Sequence, residues 1–177
     1  MNKKKLKIIA TIIAFGLCFP LHFLFDLFPN IITSIFAPVN ESIWEHMKVL
    51  FGSIILSGVI QKIYILVIKK EKLNNICFSN FIAAISSIPI FLILFLPVYF
   101  IIGNNFIVTI IIMLITIIIS EFLSYLIMNK PDFKLENITI FMVIMVYIFF
   151  TILTYYPLKN FLFIDKKTST YGIQINN

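Results

Sequence analysis

The chain reads as an all-α polytopic membrane bundle of about five transmembrane helices, on three observations. It is 60% hydrophobic and only 12% charged, with a mean hydropathy of +1.04. A soluble domain of 177 residues has too much surface facing water to hide that much apolar area. The apolar residues fall into five runs of about 20, the length a helix needs to cross a hydrocarbon core of roughly 30 Å. The lysines collect at the ends of those runs, where the charge meets water.

The runs are Leu6–Phe28, Val49–Ile68, Phe78–Ile102, Phe106–Met128 and Ile138–Tyr156, leaving a tail over 157–177. Barrel strands would alternate polar and apolar residues, and these runs do not. The first follows a lysine-rich start, Met1-Asn2-Lys3-Lys4-Lys5, that resembles a signal peptide. It continues too far for such a segment and offers no small-residue cleavage site, so a retained first span is expected. The second helix is expected to reach back to Asn40, a good N-cap with Glu41 at the positive end of the dipole. Pro20, Pro89 and Pro97 predict kinks in the first and third spans. Ser53 with Ser57, Ala83-Ala84 and Ser86-Ser87 predict close helix contacts. Trp44, Tyr155 and Tyr156 suit an interfacial aromatic belt. No linker or repeat divides the chain, so one domain over 1–177 is expected.

All 14 basic residues are lysine, and the formal charge is +6. With the N-terminus inside, Lys3, Lys4, Lys5, Lys7, Lys62, Lys69, Lys70, Lys72, Lys130 and Lys134 are inner, and Lys48, Lys159, Lys166 and Lys167 are outer. This bias predicts N-in, C-out, in the multi-pass topology of a cell membrane protein. The expected partners are the lipid bilayer and, within it, a second copy or another membrane subunit; nucleic acid is not expected. Cys18 and Cys77 sit at different depths with no C-x-x-C spacing, and read as small buried hydrophobes.

Chemistry concentrates at Asn40-Glu41-Ser42-Ile43-Trp44-Glu45-His46-Met47-Lys48, between the first two spans. On a continuous helix Glu41 and Glu45 would share a face, with His46 turned about 100° away. His22 and Asp26 repeat the same four-residue spacing near the outer end of the first span, and only a loop of about a dozen residues, Pro29-Asn30 through Pro38-Val39, is expected to join the two as antiparallel neighbours. Polar groups are costly at this depth, so both pairs mark a candidate site. Glu and His converging from neighbouring helices is how bundles hold metals. Mixed imidazole and carboxylate donors suit zinc, iron or manganese. The expected ligands are His22, Glu41, Glu45 and His46, with Asp26 and Glu45 as catalytic candidates. The competing reading makes Glu41 a cap and Glu45–Lys48 a solvated ion pair. No H-E-x-x-H motif sharpens the choice.

Glu121, deeper in the fourth span, has Lys62 as its expected partner, in a structural ion pair or along a solute path. The tail reads as an outer turn folding back as a lid through Tyr155, Tyr156, Asp165 and Tyr171, or as a frayed end.

The run Pro38-Val39-Asn40-Glu41-Ser42-Ile43-Trp44-Glu45-His46-Met47-Lys48, with Phe19-Pro20-Leu21-His22-Phe23 and Tyr171-Gly172-Ile173, resembles a small bacterial multi-pass membrane family of unknown function. The resemblance spans essentially the whole chain and implies a shared fold and an outer site, but no activity.

Three functions fit. The leading one is a metal-dependent intramembrane hydrolase acting on a lipid-like or peptide substrate. The second is a transporter or solute-binding membrane subunit for a cation or small cationic solute, with Glu121 and Lys62 extending the path. The third is a structural or accessory subunit whose outer motif docks a partner.

Overall fold

The computed structural model describes residues 2–103 and 105–173. Six helices follow one another: α1 (Lys3–Leu27), α2 (Ile31–Phe36), α3 (Ile43–Ile63), α4 (Ile76–Ile102), α5 (Phe106–Met128) and α6 (Glu136–Tyr155). A π-helical turn, Tyr64–Lys69, prolongs α3, and Ile164–Asp165 pairs antiparallel with Thr170–Tyr171 in a hairpin of two-residue strands. Five helices, all except the six-residue α2, are long and apolar enough to cross a membrane. The chain has the architecture of a multi-pass membrane protein.

The exterior agrees. Ile101, Phe106 and Ile93 are 82%, 75% and 71% exposed, a surface that only lipid would cover without penalty. Inside, α1 and α4 each pack on both α3 and α5, and these four helices close a ring. Helix α6 flanks the ring along α4 and also covers α2. α3 is the central element, with every residue from Val49 to Ile54 buried.

Small residues let the backbones approach, as the serine and alanine pairs predict. Ser53, Ser57, Ala83, Ala84 and Ser87 are fully buried, and Ser57 Oγ donates to Ala10 O across the α1–α3 contact at 2.9 Å. Gly58 makes way for Asn80: a Cβ there would lie 2.6 Å from the Asn80 amide. Pro20, Pro89 and Pro97 all fall inside helices that continue through them. Cys18 and Cys77 are free thiols.

Four expectations need correction. First, α3 starts at Ile43 with Ser42 as its cap, not at Asn40. The Ser42 hydroxyl accepts from Glu45 N, whereas the Asn40 side chain is turned to Ser42 N and to Gly172 O. Glu41 therefore lies outside the helix and shares no helical face with Glu45. Second, Trp44 is no belt residue. It is buried between Phe149, Phe150 and Phe163, stacked on the last at 4.8 Å.

Third, Glu121 pairs with Lys7, at 3.1 Å, and not with Lys62. Lys62 instead lies 3.6 Å from Glu136 Oε2 and donates to Cys77 Sγ. Lys7 sits on the buried stripe of α1 with Ala10, Ala14, Cys18 and Leu21, so its ammonium is held in the bundle, where it also donates to Asn80 Oδ1 at 2.6 Å. Fourth, the segment between α1 and α3 is no plain loop but contains α2. Asn30 and Thr33 cap α2 reciprocally, each side chain bonding the other's backbone N–H.

The tail folds back over the ends of α3 and α6. Phe163 is buried, and Leu162 O accepts from Trp44 N at 2.9 Å. Gly172 closes this return with φ +64°, and any Cβ there would press to 2.6 Å of Thr154 O. Only glycine takes that conformation with no room for a side chain.

Candidate metal centre

Three of the expected ligands converge. His22 comes from α1, Glu41 from the segment just before α3, and His46 from the first turn of α3. One donor atom from each lies within 4.8 Å of the other two. Glu41 Oε2 is 3.5 Å from His22 Nε2 and 3.8 Å from His46 Nε2, and the two rings meet edge to face at 5.6 Å. A tetrahedral ion with bonds near 2.1 Å spaces its ligands about 3.4 Å apart, so small side-chain rotations would bring all three donors onto one ion.

The surroundings prepare these donors. His46 Nδ1 lies 2.8 Å from Ser42 O, a carbonyl that only accepts, so Nδ1 carries the proton and Nε2 keeps its lone pair facing Glu41. Such a second hydrogen bond is what commonly orients a ligating histidine. His22 Nδ1 is buried and has no hydrogen-bond partner among the described residues. Glu41 Oε1 accepts from Lys167 Nζ at 3.2 Å, leaving Oε2 to the imidazoles. The hydrogen bond from His22, with Lys167 on the other oxygen, holds the Glu41 carboxyl down at about 2 despite partial burial. It is ionised at neutral pH, as a ligand must be.

That depression has a sign. A carboxyl whose folded pKa lies below its unfolded value adds stability above the unfolded pKa, and the gain fades as pH falls through the folded one. Glu41 should therefore help stability above about pH 4.5 and lose that effect towards pH 2. Unfolding of the purified protein in detergent from pH 6 to 2 is expected to show a slope in this window that Glu41→Gln flattens. An unchanged slope would show that Glu41 is free of the imidazoles.

Glu45 and Asp26 stand elsewhere. Glu45 is fully buried, its Oε2 2.6 Å from Lys48 Nζ and 3.3 Å from Val39 N, its Oε1 2.7 Å from the Thr154 hydroxyl. Lys48 also donates to Ser34 O and Thr154 Oγ1. Both carboxylate oxygens are thus committed to an interior network that ties α3 to α2 and α6. Asp26, one turn beyond His22, is exposed and lies outside the three-residue cluster. The residues expected in a lid also miss the cluster. Tyr155 OH is 2.9 Å from Ser34 Oγ, Tyr156 is exposed, Tyr171 is half-buried at the hairpin, and buried Asp165 accepts from Lys167 N.

Lys167 is the tail residue that reaches the cluster, where the charge pattern along the chain predicts only an outer lysine. Its signal was its place in a short turn, where Asp165 fixes the Lys167 backbone at 2.8 Å.

The cluster closes one end of a cavity of about 340 Å³ between α1 and α5. Its walls are apolar, formed by Phe15, Phe19, Phe23, Phe106, Ile110 and Met113. Three donors at the mouth of an apolar chamber is a site that sequence alone outlines but does not assemble.

A family of unknown function, DUF6512, matches residues 1–173. The chain belongs to this family. Comparison of this DUF6512 member with curated proteins and with solved structures found no match.

Proposed function

We propose that the protein is a metal-dependent membrane hydrolase, with His22, Glu41 and His46 holding one divalent ion. The observation that supports it is the convergence of those three donors at the head of an apolar cavity. Two imidazoles and one carboxylate form a ligand set that catalytic zinc sites use, with the fourth position left for water or substrate. A divalent ion so held lowers the pKa of water and polarises an ester carbonyl or phosphoryl oxygen.

The chain's own residues do the rest. The Ser42 carbonyl fixes the His46 tautomer, and Lys167 pins the outer oxygen of Glu41. The apolar walls would keep water from the cavity side of the cluster. Hydrolysis forms a bond from water oxygen to the acyl carbon or phosphorus, breaks the ester bond, and passes the water's proton to the departing alcohol. The lysine bias supports an outward-facing position for this end of the bundle.

Purified protein is expected to carry one equivalent of zinc, iron or manganese by elemental analysis, and to lose it on His22→Ala or His46→Ala. Metal at about 100 times its dissociation constant should add about 2.7 kcal/mol to stability, removed by chelator. Absence of stoichiometric metal together with indifference to chelator would overturn the reading.

A further inference from the structure

The cavity has two unlike ends and an open flank. Phe19, Phe23 and Phe106 line it, yet are 43%, 53% and 75% exposed, so it opens sideways onto the surface that faces lipid. Its long walls offer almost no free hydrogen-bonding group. Thr109 spends its hydroxyl on Asn105 O at 2.9 Å, and Cys18 Sγ faces Ala14 O and Ser53 Oγ. A peptide drawn in here would leave its backbone N–H and C=O groups unpaired, at several kcal/mol each. A hydrocarbon chain has nothing to leave unpaired.

The charged end selects the head. Lys167 reaches over it, 71% exposed, with Nζ on Glu41. With Glu41 the one carboxylate in the cluster, a divalent ion held there would, together with Lys167, give that end a net positive charge. Lysine and a divalent cation are both good partners for phosphate.

We infer that the cavity takes one acyl chain of a phosphate-bearing lipid, entering sideways between α1 and α5 with its head at the His22–Glu41–His46 cluster and Lys167. This names the substrate class of the hydrolase proposed above and rests on that reading. The fatty chain supplies the binding energy along Phe15, Ile110 and Met113, and the head places the ester bond at the cluster.

The test is native mass spectrometry of the whole protein in a neutral maltoside detergent, with metal content measured on the same samples. The probes are palmitoyl lysophosphatidic acid, monopalmitoylglycerol and glycerol 3-phosphate. The lysophosphatidic acid is expected to bind one per chain, at least tenfold tighter than the neutral lipid, and glycerol 3-phosphate not at all. Met113→Trp, which fills the cavity, should abolish binding. Ile110→Trp serves where that variant fails to fold, and Ile93→Trp, on the exposed face of α4, should bind as the parent does. Lys167→Met should erase most of the preference for phosphate. Equal binding of neutral and anionic lipid, or binding indifferent to both tryptophans, overturns the inference. Metal present without lipid selectivity sinks this inference alone; selective lipid binding without metal sinks the hydrolase and leaves the lipid site standing.

Discussion

Glu45→Gln and Lys48→Met are each expected to destabilise the protein by about 3–5 kcal/mol, because each leaves the other charge buried and unpaired. The pair lies 2.6 Å apart with both side chains almost wholly shielded, and Thr154 bridges it to α6. The double variant Glu45→Gln/Lys48→Met should recover most of the loss, since removing both charges removes both desolvation costs. Denaturant unfolding in detergent checks the three variants side by side. Single effects of 1 kcal/mol or less would describe a solvated pair. Loss of metal from a still-stable Glu45→Gln would instead return Glu45 to the ligands.

The second large effect is expected at the opposite end of the bundle. Lys7→Met removes the partner of Glu121 and a donor to Asn80, both within the ring of α1, α3, α4 and α5. The expected cost is again about 3–5 kcal/mol, against about 1 kcal/mol for Lys3→Met, whose ammonium donates to Met128 O in a partly buried setting. Glu121→Gln combined with Lys7→Met should regain stability. Equal, mild losses at Lys3 and Lys7 would place both lysines in water.

These two lysines show where the sequence stops being legible. The five spans were readable because lipid demands long apolar runs, and Phe106–Met128 is bounded as the run predicts. Lys7 and Lys48 look like the other lysines to any count of charge along the chain, yet both are buried. For Lys7 a signal existed: it keeps the spacing of Ala10, Ala14, Cys18 and Leu21, the stripe that packs inward. For Lys48 there was none, since the stretch of α3 around it, Met47 to Ile54, is enclosed on all sides and has no polar face to set the phase.

The candidate site divides in the same way. His22, Glu41 and His46 were legible as costly polar groups at a span's end. The split between Glu41 and Glu45 was not, because it turns on a cap at Ser42 instead of Asn40, and helix ends are the least determined part of a pattern. Lys167 is 126 residues from Glu41, a separation that no local spacing rule spans.

That separation orders events during synthesis. The segment carrying Glu41 and Glu45 is laid down early, but Thr154 follows Glu45 by 109 residues and Lys167 follows Glu41 by 126. While the chain is still emerging, the ends of the first two spans hold two acidic groups with their last partners unmade. The cluster gains its last contacts only when α6 is in place and the turn around Gly172 has brought the tail back.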